Sequence, residues 1–171
     1  MIKLIIFDLD GTLLDTIEDL ANATNHALKQ FNFPLHDTAS YRFFVGSGIN
    51  KLIERALPEK HKNADAISMV KHEFLKYYLF HADDCTKPYP GITELLTKLQ
   101  QGGYQLGVAS NKMHDATVDL VKRFFPEISF TSVLGQRDGI PVKPSPEILN
   151  EIVSTAGVLK SETLYIGDSG I

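Results

Sequence analysis

Four short apolar runs constrain the fold of this chain more than any other feature of its sequence. They lie at residues 2–7, 105–109, 130–134 and 163–166, and each is nearly continuous in Ile, Leu, Val and Phe. Strands that bury one face alternate apolar with polar residues, whereas continuous apolar strands are covered on both faces, as in parallel sheets. The sequence therefore predicts a parallel β-sheet with helices on both sides.

Helical patterns precede and separate the last three runs. Apolar residues recur at helical spacing in residues 92–101 and 117–125. A third helix is expected to begin with Ser145 as its cap and Pro146 at the first helical position. Strand–helix alternation of this kind is typical of a doubly wound α/β sheet, a Rossmann-like core.

The long segment between the first two runs carries only helical signals. Asp15 and Glu18 fit a capping box that opens a helix to about residue 31, and two more helices are predicted at 49–57 and 64–82. We therefore expect a helical domain inserted into a core domain that is formed by two separate parts of the chain. The helical domain is predicted at residues 15–86. The two parts of the core domain are predicted at residues 1–14 and 87–171.

Polar residues follow each of the four apolar runs. In an open parallel sheet, ligands bind beyond the carboxyl ends of the strands, where the residues that follow neighbouring strands meet. We expect one site there, built from three aspartates, a hydroxyl group, an amide and a lysine: Asp8, Asp10, Asp168, Ser110, Asn111 and Lys143.

The three aspartates predict a site for a hard cation. Asp8 and Asp10 are two residues apart on an extended segment, so both side chains leave on the same side, and Asp168 adds a third carboxylate. Like charges this close repel each other unless a cation lies between them. Oxygen ligands without histidine or cysteine favour Mg²⁺, which binds carboxylates together with phosphate oxygens and water.

The other residues of the predicted site suit a phosphoryl group. Lys143 can neutralise one phosphoryl oxygen, and Ser110 with neighbouring backbone N–H groups can donate to another. Asn111 is a further candidate phosphate contact. Gly11 lets the backbone approach the ligand, and Thr12 adds a hydroxyl donor. An aspartate can attack phosphorus to form an acyl phosphate, while a second carboxyl group protonates the leaving group and later activates water.

These residues carry a resemblance to the haloacid dehalogenase superfamily of aspartate-nucleophile phosphatases. Segments similar to its four motifs occur in order, at residues 8–15, 109–112, 143–147 and 167–169. The resemblance implies that Asp8 is the nucleophile, that Asp10 is the general acid and base, and that Mg²⁺ binds Asp8, the carbonyl of Asp10, and Asp168. It also implies that the inserted helical domain is a mobile cap.

Residues 44–57 are similar to the cap segment of phosphoglycolate phosphatases. Among small phosphorylated metabolites, 2-phosphoglycolate is therefore the expected substrate. A plain turn at residues 46–48 and a solvated helix face at Lys51 and Arg55 are the alternative interpretations of this segment. Its candidate substrate contacts are Gly46, Ser47, Gly48 and Lys51.

Other functions fit the same motifs. A phosphomutase of the β-phosphoglucomutase type, or a pyrophosphatase, would use the same core on a different substrate. A non-catalytic phosphate-binding regulatory module would keep the fold, but a pure binding protein needs no acid–base group such as Asp10 beside Asp8. Release of inorganic phosphate from simple esters separates these possibilities.

Composition excludes several other classes of protein. Lys and Arg number 17 against 21 Asp and Glu, a net charge of −4, so there is no overall positive field to attract nucleic acid or an anionic membrane. Cys85 is the only cysteine, which excludes an internal disulfide and a cysteine-built zinc site and favours the reducing cytoplasm. We expect a small phosphorylated metabolite as partner, and both a monomer and a homodimer fit the sequence.

The fourth motif leads to a further expectation. In the superfamily that this chain resembles, a second acidic residue follows the first by a few positions, which here would lie just beyond Ile171. A further strand and helix normally come next. We therefore expect the core domain to be incomplete at the C-terminus of this chain.

Overall fold

The computed structural model describes residues 1–169, which form two compact units. One unit joins Met1–Asp15 to the chain from Lys87 onward, and the other is Thr16–Thr86. In chain order the strands are β1 (Leu4–Phe7), β2 (Leu14–Asp15), β3 (Lys87–Pro88), β4 (Gln105–Met113), β5 (Ser132–Gln136) and β6 (Thr163–Ile166). The helices are α1 (Ile17–Gln30), α2 (Ile49–Ala56), α3 (Ala64–His81), α4 (Ile92–Gln101), α5 (His114–Phe124) and α6 (Glu147–Ala156). Short 3₁₀ helices span Thr38–Phe43, Glu59–His61 and Lys160–Glu162.

Four strands of the first unit form a parallel sheet in the order β5–β4–β1–β6. β1 lies between two partners, with Leu4 opposite both Gln105 and Thr163. β1 is therefore an inner strand, and its connections to its parallel neighbours contain helices, as expected of crossovers between parallel strands. This arrangement confirms the predicted α/β fold class with a parallel sheet.

The residues of β1 divide between two apolar cores, one on each face of the sheet. Ile5 and Phe7 share one core with residues of α4 and α5, whereas Leu4 and Ile6 share the other with residues of α6. Successive side chains of a strand point to opposite faces, so helices on both faces require apolar residues at every position. This explains why the first apolar run of the sequence does not alternate.

Among the described residues, β6 forms one edge of the sheet. Leu164 is 44% exposed and Ile166 is 36% exposed. Their register partners on β1 are Ile5 and Phe7, which are buried. On this face of the sheet, α4 and α5 cover the side chains of β1. The side chains of β6 on the same face are apolar and exposed.

In the helical unit, α1 packs against α3, and a buried carboxylate links the start of α1 to the end of the unit. The side chain of Asp19 is buried and accepts hydrogen bonds from the backbone N–H groups of Cys85 at 3.0 Å and Thr86 at 2.8 Å. The hydroxyl of Thr86 donates a further bond to Asp19 at 2.7 Å. Asp19 thus fixes the two ends of this unit to each other.

A two-stranded antiparallel ribbon lies where the chain leaves and re-enters the first unit. It pairs β2 with β3, with Leu14 opposite Pro88 and Asp15 opposite Lys87. The predicted capping box at Asp15 is therefore wrong. Because its backbone pairs with Lys87, Asp15 is a strand residue, and α1 begins at Ile17 after Thr16, which makes no side-chain capping hydrogen bond.

Other predicted boundaries also differ from the structure, among them the start of α5, which is His114 rather than residue 117. β4 continues beyond residue 109 to Met113, because pairing with β5 resumes at Gln136 after an irregularity. β5 begins at Ser132 rather than at residue 130. The predicted cap at Ser145 is also wrong, since its hydroxyl binds the side chain of Glu147 and no side chain caps α6.

Candidate active site

The predicted site residues of the core lie at the carboxyl ends of the strands. Asp8 directly follows β1, and Asp168 follows β6 after one residue. Ser110 and Asn111 lie in the last part of β4, and Lys143 lies between β5 and α6. The topology therefore brings to one edge of the sheet residues that are far apart in sequence.

A buried ion pair joins Asp8 to Lys143. Lys143 Nζ lies 2.9 Å from Asp8 Oδ2, and the two side chains are only 10% and 5% exposed for Asp8 and Lys143 respectively. The same nitrogen donates to the backbone oxygen of Ala109 at 2.8 Å and to the hydroxyl oxygen of Tyr165 at 2.9 Å. Each of the three ammonium hydrogens therefore has an acceptor.

The environment of Asp8 affects its protonation in opposing ways. Burial raises the pKa of the Asp8 carboxyl above its usual value, the Lys143 ammonium acts against this shift, and the Asp10 carboxylate adds to it. The other carboxylate oxygen, Oδ1, accepts a hydrogen bond from the backbone N–H of Leu9 at 2.7 Å. The contact of Oδ2 with Lys143 and the contact of Oδ1 with the Leu9 N–H together fix the orientation of the Asp8 carboxylate.

Asn111 holds the backbone of Lys143 at two points. Its Nδ2 donates to the carbonyl oxygen of Lys143 at 3.1 Å, and its Oδ1 accepts from the N–H of Lys143 at 2.7 Å. The sequence predicted a phosphate contact for Asn111. In the structure, both polar atoms of this side chain bind the backbone of Lys143, and the phosphate contact stays a prediction.

The loop after β1 brings Gly11 and Thr12 next to Asp168. Gly11 has a positive φ of 81°, and a Cβ atom at this position would lie 2.8 Å from Cγ of Asp168. The hydroxyl of Thr12 donates to Asp168 Oδ1 at 3.4 Å. The absent side chain of Gly11 therefore leaves the space that the Asp168 carboxylate occupies.

Lys112 is a site residue for which the sequence pattern predicts no role. Its Nζ lies 2.9 Å from Asp10 Oδ1, and the side chains of Lys112 and Asp10 are 4% and 14% exposed respectively. The feature of the sequence that points to Lys112 is its position directly after Ser110 and Asn111 in the second motif. The backbone N–H of Lys112 also donates to Ser110 Oγ at 3.1 Å.

The predicted metal ligands are oxygen donors, but they do not form a cluster of three side chains. Among residues 1–169, no three His, Cys, Asp or Glu side chains lie close enough to hold a metal ion together. The predicted set includes only two ligating side chains, those of Asp8 and Asp168, together with the backbone carbonyl of Asp10. A site of this composition would be completed by water and substrate oxygens.

The candidate substrate contacts of residues 44–57 form a local group in the helical unit. Gly48, with a φ of 82°, precedes α2 as its N-cap residue. Arg55 donates to the carbonyl of Phe44 at 2.9 Å and to Ser47 Oγ at 3.1 Å, so it holds the loop before α2. Lys51 Nζ lies 2.6 Å from Glu54 on the exposed side of α2.

Comparison with known proteins identifies the family. The family model of haloacid dehalogenase-like hydrolases matches residues 5–171. The chain belongs to this family. The predicted family and the predicted enzyme class, a phosphatase of the haloacid dehalogenase-like hydrolases, are confirmed.

Individual relatives of this haloacid dehalogenase-like hydrolase extend over nearly the whole chain. The phosphoglycolate phosphatase of Mesorhizobium japonicum is 34% identical over 171 residues, which is 97% of this chain and 74% of the relative. The phosphoglycolate phosphatase of Aliivibrio fischeri is 30% identical over 173 residues, 98% of this chain and 76% of the relative. A crystal structure from Lactobacillus delbrueckii subsp. bulgaricus superposes with a TM-score of 0.90 at 36% identity, covering 98% of this chain and 78% of that one.

Within residues 1–169, no helix of this hydrolase combines the length and the apolar content that a membrane span requires.

Proposed function

We propose that this chain hydrolyses the phosphate monoester of a small metabolite, with Asp8 as the nucleophile and 2-phosphoglycolate as the favoured substrate. The observation that carries this proposal is the buried Asp8, with one oxygen held by Lys143 at 2.9 Å and the other by the N–H of Leu9 at 2.7 Å. Asp10, two residues further on, is the acid–base group. The choice of substrate is supported by relatives that carry the name phosphoglycolate phosphatase, among them those of Mesorhizobium japonicum and Aliivibrio fischeri.

In the first half-reaction, a carboxylate oxygen of Asp8 attacks phosphorus and the bond from phosphorus to the ester oxygen breaks. Asp10 donates its proton to the departing alkoxide, which leaves as an alcohol, and the phosphoryl group stays on Asp8 as an acyl phosphate. Lys143 offsets the negative charge beside Asp8, as its distance of 2.9 Å from that carboxylate supports.

In the second half-reaction, Asp10 accepts a proton from a water molecule whose oxygen attacks the phosphorus of the acyl phosphate. The bond between phosphorus and the Asp8 oxygen breaks, inorganic phosphate leaves, and Asp8 is again a carboxylate. Asp10 regains the proton it donated, so the cycle is closed.

The residues of the site fit Mg²⁺. The donors are all oxygens, and the space left by Gly11 admits the exposed Asp168 carboxylate to the loop that follows Asp8. In this proposal Asp8, the carbonyl of Asp10, and Asp168 would hold the ion. When bound, Mg²⁺ supplies positive charge that neutralises phosphoryl oxygens.

We assign substrate selection to the helical domain predicted at residues 15–86, which acts as the cap in this proposal. Arg55 is central to this assignment, because its two hydrogen bonds shape the loop of residues 44–48. Replacing Arg55 by alanine should change KM and substrate preference while leaving the apparent affinity for Mg²⁺ unchanged. Replacing Lys51, whose ammonium is paired with Glu54, should have a smaller effect.

The decisive experiment measures inorganic phosphate release from a panel of phosphate esters with Asp8→Asn, Asp10→Asn and the wild-type protein. Asp119→Asn on the exposed side of α5 is the matched control for the change from carboxylate to amide. Asp8→Asn should lose at least about a thousandfold in kcat with the fold intact, because the amide cannot attack phosphorus. Chelation of divalent ions should abolish turnover, and Mg²⁺ should restore it.

Other outcomes would replace the proposal. Retention of a tenth of kcat by Asp8→Asn would remove this residue from the role of nucleophile. Transfer of phosphate between positions of a hexose phosphate without release would indicate a phosphomutase, and preferred cleavage of pyrophosphate would indicate a pyrophosphatase. Saturable phosphate binding with no turnover of any ester would indicate a binding module.

A further inference from the structure

Lys112 is a buried cation that the proposed reaction does not use. Its side chain is 4% exposed, and its Nζ lies 2.9 Å from Oδ1 of Asp10, a residue 102 positions away in the sequence. A buried lysine is costly unless its charge is paired and hydrogen-bonded. The structure therefore commits this side chain to Asp10.

An irregularity in β4 places Lys112 at this position. Ala109 pairs with Leu134 and Met113 pairs with Gln136, so β4 advances four residues while β5 advances two. Extra residues of this kind bend a strand and change the direction of its side chains, and they occur often beside active sites. The irregular part of β4 contains Lys112.

The backbone of Lys112 is fixed on both sides. Its N–H donates to Ser110 Oγ at 3.1 Å, and its carbonyl oxygen lies 3.3 Å from the hydroxyl of Thr117, which is shared with the Met113 carbonyl at 2.9 Å. On the neighbouring strand, a Cβ at Gly135 would lie 2.6 Å from both the Lys112 carbonyl oxygen and Thr117 Oγ1. Close packing at this point requires glycine at position 135 and leaves the Lys112 backbone little room to move.

Asp8 and Asp10 therefore have separate lysine partners. Asp8 is held by Lys143 at 2.9 Å, and Asp10 is held by Lys112 at the same distance. An acid–base group must point at the ester oxygen, and a misplacement of about 1 Å can cost a hundredfold in rate. Orienting Asp10 is the function that this geometry gives to Lys112.

We propose that Lys112 is the positioning residue that orients the carboxyl group of Asp10 for proton transfer to the leaving group. The inference rests on the proposed function, in which Asp10 is the general acid. It assigns Lys112 no contact with the substrate. Loss of Lys112 should therefore lower kcat for substrates whose leaving group needs a proton and should leave KM nearly unchanged.

A double-mutant cycle on two substrates tests this role. The variants are Lys112→Met, Asp10→Asn and the double variant, and Lys122→Met on the exposed side of α5 is the control. The substrates are the best alkyl phosphate of the panel and 4-nitrophenyl phosphate, whose leaving group needs no proton. Lys112→Met should lower kcat on the alkyl phosphate about tenfold more than on the aryl phosphate.

In the Asp10→Asn background, the same substitution should change kcat by less than about twofold, because residues that act through one another are not additive. An equal loss on both substrates, or a full additional loss in the Asp10→Asn background, would overturn the inference. Thermal unfolding checks that each variant is folded. If Lys112→Met does not fold, Lys112→Arg, which keeps the charge but displaces it, carries the same comparison of substrates.

The behaviour of Asp10→Asn alone separates this inference from the proposed function. If Asp10→Asn shows no dependence on the leaving group, the acid–base role of Asp10 fails and the role of Lys112 fails with it. If Asp10→Asn shows that dependence and Lys112→Met does not, the proposed function stands and only the inference about Lys112 is overturned.

Discussion

The ammonium nitrogen of Lys143 lies 2.9 Å from Oδ2 of Asp8, and its other two hydrogens are directed at the backbone oxygen of Ala109 and the hydroxyl of Tyr165. An ammonium group has three donors, so Lys143 has none left for a phosphoryl oxygen while all three contacts persist. Binding of a substrate phosphate by Lys143 requires the exchange of one of these contacts. Of these contacts, the hydrogen bond from Lys143 to the Tyr165 hydroxyl can be tested by the substitution Tyr165→Phe, which removes the acceptor and leaves the aromatic ring in place.

Tyr165→Phe should therefore lower the stability of the sheet unit. It removes one hydrogen bond to a charged group, whose contribution is about 1.5–3 kcal/mol. Urea unfolding measures this loss, and Tyr104→Phe, at an exposed position before β4, is the control. Unchanged stability and unchanged kcat in Tyr165→Phe would show that the hydroxyl does not hold Lys143.

Asn111→Ala should lower kcat through Lys143. The change removes both hydrogen bonds to the Lys143 backbone, at 3.1 and 2.7 Å, and leaves the Lys143 side chain itself intact. We expect a loss of at least about tenfold in kcat, because small displacements of charged groups in an active site are costly. Asn22→Ala on the exposed side of α1 is the control, and a loss confined to KM would contradict this explanation.

Gly11→Ala should weaken the binding of Mg²⁺. Position 11 has a φ of 81°, and the added Cβ would lie 2.8 Å from Cγ of Asp168, so the carboxylate must move. Gly103→Ala is a closely matched control, because Gly103 has a φ of 80° and nothing within 4 Å of the added atom.

Both alanine variants share a backbone cost of roughly 1–2 kcal/mol for the left-handed conformation. Only Gly11→Ala should also weaken the apparent Mg²⁺ affinity, by about 10- to 100-fold, as measured by titration of activity and by calorimetry. Equal Mg²⁺ affinity in the two variants would show that Asp168 does not depend on the space at Gly11.

Asp19→Asn should loosen the ends of the helical unit. The buried carboxylate accepts from the N–H groups of Cys85 and Thr86 and from the Thr86 hydroxyl, and the amide keeps only part of this acceptor capacity. We expect a loss of about 1.5–3 kcal/mol in stability and faster hydrogen exchange at Cys85 and Thr86. Unchanged exchange at these two amides would contradict the role of Asp19.

The ion pair between Arg137 and Glu151 should give a small, pH-dependent contribution to stability. Arg137 binds Glu151 through two hydrogen bonds, and this contact lowers the pKa of the Glu151 carboxyl. A lowered carboxyl pKa stabilises the folded protein above the unfolded value of about 4.3, and this contribution is lost as the pH falls through the folded pKa.

The pair is partly exposed, so its contribution at pH 7 should not exceed about 1 kcal/mol. Urea unfolding of Glu151→Gln should show this loss at neutral pH and no loss relative to wild type once Glu151 is protonated in both states. Glu94→Gln on the exposed side of α4 is the control. A loss that is constant over the acidic range would contradict an electrostatic origin.

The sheet could be predicted from the sequence because its signal is local. The run at residues 163–166 and the helix at 92–101 have the predicted bounds, since continuous apolar residues and helical spacing are properties of short segments. The sequence predicts too short a β4 because Ser110, Asn111 and Lys112 are polar, as loop residues are. Pairing with β5 beyond an irregularity overrides that composition.

The contacts that the sequence did not reveal are long-range. Lys112 and Asp10 are 102 residues apart, and their pairing depends on the irregular part of β4, which has no local signature. Asp19 stands in the first turn of α1, where an acidic residue normally interacts with the helix dipole. Its actual partners, Cys85 and Thr86, are 66 and 67 positions away.

The ribbon of β2 and β3 has a consequence for how such a chain can evolve. The outgoing and returning segments run antiparallel, with Asp15 beside Lys87, so the sheet unit presents neighbouring ends to whatever joins them. Adjacent ends are the condition under which whole domains can be inserted, removed or exchanged without rethreading a fold. A gene encoding this sheet can therefore acquire a different insert by recombination at two codons, while the residues at the carboxyl ends of its strands are inherited unchanged.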